Sequence, residues 1–249
     1  MKTVIKKVAL VTGAATGMGR AFAIRLAKDG FTIAVNYIGD SRQADDVVNE
    51  IIETGGSAVA FPADVSNVTS IISLFDKVIQ EFGAIDVVVA NAGIGIMGIP
   101  IIDITEADFD RINNVNYKGT FFVMQQAAKH IRNGGRIIQI SSTSSLYPAS
   151  GLGVYAPSKA PGKVITEILS QELGSRQITV NSVFPGPTKT PLMEKEVSKE
   201  ELERIGQSMN LGRMGEPEDI AGVIAFLASP EGGWINGQQI IVNLSLIHI

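Results

Sequence analysis

The chain has 249 residues, of which 45 % are apolar and 18 % charged, with a net charge of −4, two histidines and no cysteine. That is ample for one large α/β core. It excludes disulfides, thiolate metal sites and a zinc site built on His130 and His248, so no metal is expected; without a basic stripe, nucleic acid is excluded as a partner too.

The apolar run after Lys6 and Lys7 ends within four residues at Thr12 and Gly13, too short for a secretory leader. No later run reaches the ~18 residues of a membrane span, so no membrane association and a cytoplasmic location are expected.

Val8 to Val11 reads as a strand, and Thr12 to Gly19 runs from it into a helical pattern that continues through Ala27. Glycines at 13, 17 and 19 between strand and helix suit a pyrophosphate, because the backbone can approach closely and the first helical amides carry partial positive charge. The spacing Gly-x-x-x-Gly-x-Gly departs from the commoner Gly-x-Gly-x-x-Gly.

Strands and helices then alternate. Strands are predicted at Phe31 to Asn36, Ala58 to Phe61 and Ile85 to Ala90, and helices at Ser41 to Glu53 and Val68 to Phe82. A helical region from Thr105 to Arg132 precedes a buried strand, Arg136 to Ile140, and one helix is predicted over Tyr155 to Leu173. Thr179 to Phe184 is a strand, and the stretch from Pro185 to Gly215 reads as a lid rather than core. Glu216 to Asp219 open a last helix ending at Ala228, and Gln239 to Val242 is the final strand. Repeated β-α units predict a single domain over residues 1–243, a doubly wound parallel sheet of about seven strands with helices on both faces.

The chemistry concentrates between Ser141 and Lys159. Arg136 to Ile140 delivers Ser141 and Ser142 to the carboxyl end of a strand, where ligands of open α/β sheets bind. Tyr155 and Lys159 are four apart, hence on one face of a helix. An ammonium beside a phenol is expected to lower its pKa by roughly 1 to 3 units, giving an acid that trades protons near neutrality. Pro157 suits a helix start, whereas Pro161 removes a hydrogen bond and should bend the helix.

These motifs, in this order and spacing, resemble the short-chain dehydrogenase/reductase family over the chain up to Val242. The resemblance implies a Rossmann-type fold. It also implies cofactor contacts from Gly13, Thr16, Gly17, Met18 and Gly19, an adenine contact at Asp64 and Val65, and a sheet-stabilising turn at Asn91, Ala92 and Gly93. Pro185, Gly186, Thr188 and Thr190 match the segment that holds the nicotinamide carboxamide. Ser142, thirteen residues before Tyr155, matches the catalytic serine, and Asn116 the catalytic asparagine. The implied mechanism has Ser142 hydrogen-bonding the substrate oxygen, Tyr155 exchanging its proton, Lys159 lowering the Tyr155 pKa and holding the ribose, and Asn116 anchoring a water chain to Lys159.

The reading is an NADP(H)-dependent oxidoreductase acting on a small hydrophobic ketone or secondary alcohol. Ile94, Ile96, Met97, Leu146, Leu152 and Met193 are expected to line its cleft. Tyr37 stands after the second strand where NAD(H) binders usually carry a carboxylate, and Asn36, Ser41 and Arg42 are candidate phosphate donors; NAD(H) stays possible because Asp40 is near. A narrower alternative is a 3-oxoacyl-[acyl-carrier-protein] reductase, with Lys129, Arg132 and Arg176 docking an acidic carrier. A different class is a non-catalytic nucleotide sensor, which has no need of the intact Asn116, Ser142, Tyr155 and Lys159. The family implies a homotetramer or homodimer. Residues 244–249 lack the expected glycine pair, and Leu-Ser-Leu-Ile-His-Ile back-translates to a transposon-end sequencing adaptor, so this tail is read as non-native.

Overall fold

A computed structural model describes residues 6–244. The predicted tail therefore lies outside the described residues except for Leu244, whose carbonyl accepts a hydrogen bond from the Asn210 amide (3.3 Å). Among these residues the strands β1 (Val8–Val11), β2 (Thr32–Tyr37), β3 (Ser57–Pro62), β4 (Ile85–Ala90), β5 (Ile131–Ile140), β6 (Thr179–Pro185) and β7 (Gln239–Val242) form one parallel sheet. Its order is β3-β2-β1-β4-β5-β6-β7. The chain reverses direction across the sheet between β1 and β4, which opens a crevice at their carboxyl ends.

Strands buried on both faces need apolar residues on both, and Val8–Val11 and most of Ile85–Ala90 are fully buried. One face is covered by α1 (Gly17–Lys28), α2 (Arg42–Glu53) and α10 (Pro217–Ala228), whose Phe22, Leu26, Val47, Ile51 and Ile224 share a core with Val11 and Ile33. The other is covered by α3 (Val68–Phe82), α5 (Thr120–His130) and α7 (Pro161–Glu172), where Phe75, Val78, Val123 and Met124 pack against Leu10 and Val88. Asn67 caps α3 by accepting from the Ser70 amide (3.1 Å), and Gly83 ends it with φ 78°, which favours glycine. No described helix is long and apolar enough to cross a membrane.

The structure divides two predicted helices. The Thr105 to Arg132 region is α4 (Glu106–Asn113), a π-helical turn (Asn114–Gly119) and α5; Arg132 already belongs to β5. The predicted Tyr155 to Leu173 helix is α6 (Tyr155–Lys159) followed by α7, with Pro161 at the break. Ala160 stays helical (φ −62°, ψ −38°), so the axis continues, but the hydrogen bonds rearrange. Pro161 has no N–H, and Lys163 donates to the Ala160 carbonyl (3.3 Å), leaving the Lys159 carbonyl free for the Ser141 hydroxyl (3.1 Å). The proline thus ties α6 to the end of β5.

The predicted lid contains α8 (Pro191–Glu196) and α9 (Lys199–Ser208). Its base is closed by two backbone bonds, Lys189 to the Gly215 carbonyl and Gly215 to the Pro187 carbonyl, both 2.9 Å. Met209 and Met214, expected outside the core, are buried and anchor its return.

Candidate active site

Two cavities meet at the carboxyl end of the sheet. The first, of about 360 Å³, runs over the β1/β4 crevice and is bordered by Gly13, Thr16, Gly17, Met18 and Gly19, then by Asp64, Val65, Asn91, Ala92 and Gly93. The second, of about 580 Å³, lies between the end of β5 and the lid. Tyr155, Ser141, Thr190, Leu192 and Met18 border both.

The first cavity has the chemistry of a dinucleotide site. Gly13 and Gly17 have φ of +62° and +54°, a region that side chains rarely enter. A Cβ on Gly19 would run into the Gly13 carbonyl oxygen, and one on Gly93 would lie 2.6 Å from Lys159 Nζ. Thr16 precedes α1 in extended conformation without a side-chain cap, so the first amides of α1 are left for an anion. The cradle is pinned to β4: Asn91 Nδ2 donates to the Thr12 carbonyl (2.8 Å), and the Thr12 hydroxyl accepts from the Asn91 and Ala92 amides (2.9 and 3.0 Å). Asp64 borders the cleft, with one carboxylate oxygen accepting the Ser66 amide (2.8 Å).

At the ribose end of β2 the predictions divide. Tyr37 borders the cleft; Ser41 and Arg42 do not. Arg42 points to solvent and holds Asp40, with Nε to Oδ2 at 2.6 Å, which keeps that carboxyl below the usual range. The Asn36 side chain is consumed internally, accepting from the Gly13 amide and donating to the Phe61 and Ala63 carbonyls (all 3.2 Å). Gln43, in the first turn of α2, faces the cleft instead. A polar first-turn residue one position past Arg42 is the signal that could have found it.

Around the reacting end, Ser142 borders the second cavity and Lys159 the first, and Tyr155 stands in the wall between. The Ser142 and Ser144 hydroxyls are 2.8 Å apart, an arrangement that the serine run alone does not reveal. Asn116 borders neither cavity. Its Oδ1 accepts the Ile94 amide (2.9 Å), and its Nδ2 donates to the Ile94 carbonyl (2.8 Å) and Ser158 Oγ (2.9 Å). It is therefore a clamp between the loop after β4 and α6, set in a π-helical turn of the kind that recurs at functional sites.

The Tyr155 pKa moves opposite to expectation. Burial raises it above its ordinary value, and a hydrogen bond with Ser142 offsets this only in part. Lys159 is itself shifted down by burial, to about 8, and so remains an ammonium at neutral pH. Its Nζ lies 3.4 Å from the Ile140 carbonyl. Tyr155 is half-buried by surface although protein crowds it; what it exposes faces the two cavities. In both residues desolvation disfavours the charged form, which moves the phenol up and the ammonium down.

Pro185, Gly186 and Thr188 line the second cavity rather than the first, and only Thr190 reaches both. Of the predicted apolar lining, Met97, Leu152 and Met193 are in the second cavity; Ile94 is in the first, and Ile96 and Leu146 are in neither. Of the three basic residues considered for a carrier, Lys129 lies in the last turn of α5, Arg132 at the start of β5 and Arg176 shortly before β6, towards the amino ends of the strands rather than the carboxyl ends where the cavities open. Arg132 pairs with Asp86 (3.5 Å), and Arg176 caps α5 through the Ala128 carbonyl (2.5 Å) and Asn133 (2.9 Å).

Residues 13–244 match the family described as enoyl-(acyl carrier protein) reductase. Hydroxynaphthalene reductase-like protein Arp2 of Metarhizium majus is 39 % identical over 252 residues, covering 95 % of this chain and 93 % of that protein. A dehydrogenase/reductase of Sinorhizobium meliloti superposes with a TM-score of 0.91 at 36 % identity, over 96 % of this chain and 94 % of that one. A short-chain dehydrogenase of Burkholderia cenocepacia, crystallised in complex with NADP, gives 0.91 at 36 % identity over 98 % and 99 %. With the glycine cradle, the Asn91 tie and the Tyr155 wall set in one parallel sheet along nearly its whole length, this chain belongs to the short-chain dehydrogenase/reductase family of oxidoreductases.

Proposed function

We propose that the protein reduces the carbonyl of a small hydrophobic ketone with NADPH, and oxidises the alcohol in reverse, with NAD(H) the weaker cofactor. The observation that carries this reading is the position of Tyr155, in the wall shared by a cleft suited to a dinucleotide and a cavity lined by Met97, Leu152 and Met193. A bound nicotinamide supplies a hydride to the carbonyl carbon. Tyr155 gives its phenolic proton to the carbonyl oxygen, which Ser142 holds by a hydrogen bond. The Lys159 ammonium stabilises the phenolate left behind, and solvent returns the proton. Asn116 acts through the fold, fixing Lys159 relative to the loop after β4.

NADP(H) is favoured because β2 ends on Tyr37 rather than a carboxylate, and because Arg42 neutralises Asp40. The Burkholderia relative crystallised with NADP supports the same choice. The name of the Metarhizium relative supports a substrate the size of a fused bicyclic ring. The distance of Lys129, Arg132 and Arg176 from the lid favours a free ketone over a carrier-bound one. The protein is read as cytoplasmic and as a homotetramer or homodimer. Exposed Phe121 on α5 and Val164 and Ile168 on the adjacent α7 support self-association, which light-scattering mass, with and without Ile168→Lys, tests.

The test of the activity is a panel of cyclic and acyclic ketones with each cofactor, followed at the nicotinamide absorbance band. Turnover of bicyclic ketones with higher kcat/KM for NADPH is expected. A higher value with NADH overturns the cofactor choice, and no turnover of any ketone overturns the activity.

A further inference from the structure

Resting on that reading, we propose that Glu196 selects the substrate: a ketone bearing a hydrogen-bond donor about one helical turn from its carbonyl, with anionic ketones refused. No lysine, arginine or histidine borders the second cavity, and two glutamates do. They are not equivalent. Glu201 is engaged by Arg204, Nε to Oε2 at 2.8 Å and Nη2 to Oε1 at 2.6 Å, so its charge is answered within α9. Glu196 is half-buried and has no hydrogen-bond or ion-pair partner among the described residues.

Its place on α8 gives the reach. Leu192 borders both cavities and so marks the reacting end; Glu196 is four residues on, on the same helix face, roughly 6 Å along the axis. That is the span from a carbonyl to the far ring of a fused bicyclic compound. A carboxylate only accepts hydrogen bonds, so it favours a phenolic hydroxyl there and leaves a methoxy group without a partner. It also repels a second carboxylate or a phosphate.

The experiment uses the whole chain, Glu196→Gln and Glu196→Leu, with NADPH and α-tetralones bearing hydrogen, hydroxyl, methoxy or carboxylate on the ring carbon farthest from the carbonyl. The parent is expected to prefer hydroxyl to methoxy by about tenfold or more in kcat/KM, as for a charge-assisted hydrogen bond. Both variants should reduce that ratio to threefold or less, and Glu196→Gln should improve the carboxylate compound. An unchanged hydroxyl-to-methoxy ratio across all three proteins overturns the proposal while leaving the reductase reading intact. Absence of turnover of any tetralone by the parent counts against the reductase reading instead. In that event calorimetric titration of the same ligands decides the role of Glu196: tenfold weaker binding of the hydroxyl compound alone in the variants supports it, and equal binding overturns it.

Discussion

The two cavities are built from different material. The cofactor side is made largely of backbone: glycines at positive φ, unsatisfied α1 amides, and loops that Asn91 and Thr12 bond directly to neighbouring strands. The substrate side is made largely of side chains, from the loops after β4 and β5 and from two lid helices joined to the sheet through a base of two backbone bonds between residues 187 and 215. A backbone wall cannot change its ligand without changing the fold. A side-chain wall can, residue by residue, so the substrate side is the half that is free to define what binds.

The largest expected effect falls on Tyr155, whose phenol stands in the wall shared by both cavities. Tyr155→Phe keeps the ring and removes only the proton donor, so turnover should fall by about 10² to 10⁴ while NADPH affinity stays within about threefold of the parent. Fluorescence titration of NADPH beside steady-state kinetics checks this. A variant within threefold of the parent in kcat would remove Tyr155 from the chemistry.

Lys159 tests whether the cofactor wall carries stored cost. Its pKa of about 8 against the ordinary 10.5 corresponds to about 3 kcal/mol of desolvation below pH 8, taking ~1.4 kcal/mol per unit. Between about pH 8 and 10.5 the unfolded chain holds a proton that the folded one has released, so stability rises with pH across that window. Lys159→Met should therefore be more stable than the parent at pH 7 by up to about 3 kcal/mol and lose its advantage as pH climbs. Denaturant titrations at pH 7 and 9.5 read the difference. Tyr155, with a raised pKa, acts in the opposite sense above pH 10, so the comparison ends below that. In the parent, kcat/KM for reduction should fall above pH 8 as Lys159 loses its charge, and a falling limb at pH 6 to 7 would contradict the depressed lysine.

Gly19→Ala and Met193→Ala separate the two materials directly. The alanine methyl at 19 meets the Gly13 carbonyl and Asn91 Nδ2 (2.6 Å), neither of which can move without loosening the β1 to β4 tie. A cost of about 1 to 3 kcal/mol and loss of NADPH binding are expected. Met193→Ala, in the lid wall, should raise KM for a bicyclic ketone several-fold and leave NADPH affinity and melting temperature near the parent's. Equal damage to cofactor binding by both changes would erase the distinction.

The same difference explains what the sequence made legible. The glycine cradle, the alternation of strands and helices and the facing of Tyr155 and Lys159 were readable because each rests on local rules: glycine where φ must be positive, apolar runs for buried strands, four-residue spacing on a helix. Ser142 was singled out only by the family resemblance, and the strand order is a matter of long-range pairing. The Asn116 clamp was readable as a motif but not as a role, since its partners, Ile94 and Ser158, are 22 and 42 residues away. The sign of the Tyr155 shift was not readable, because it depends on how far the fold desolvates the Tyr155 hydroxyl itself. Ile96 and Leu146 were misplaced because apolar character does not say which way a loop side chain turns. Glu196 belongs to no motif, and only the path of α8 past the second cavity singles it out; Gln43 is marked in the sequence only as a polar residue in the first turn of α2.

The smallest expected effect is at the rim of the cofactor wall. Asp40 and Arg42 are solvent-exposed partners, and an exposed pair contributes little to stability. Its consequence for the cofactor is a balance of signs. Asp40 repels a ribose phosphate, whereas Arg42 would attract one were it not committed to Asp40. Asp40→Asn removes the repulsion and releases the guanidinium, so the kcat/KM ratio of NADPH to NADH should rise by a few-fold at low salt and return toward the parent value near 0.5 M salt, as screened surface charges do. Arg42→Ala should lower the ratio by a similar small factor, because it leaves Asp40 unanswered. If Gln43→Ala shifts the ratio more than either, the cleft-facing amide rather than the rim pair reads the ribose; if Arg42→Ala abolishes the preference, Arg42 leaves Asp40 for the phosphate when NADPH binds.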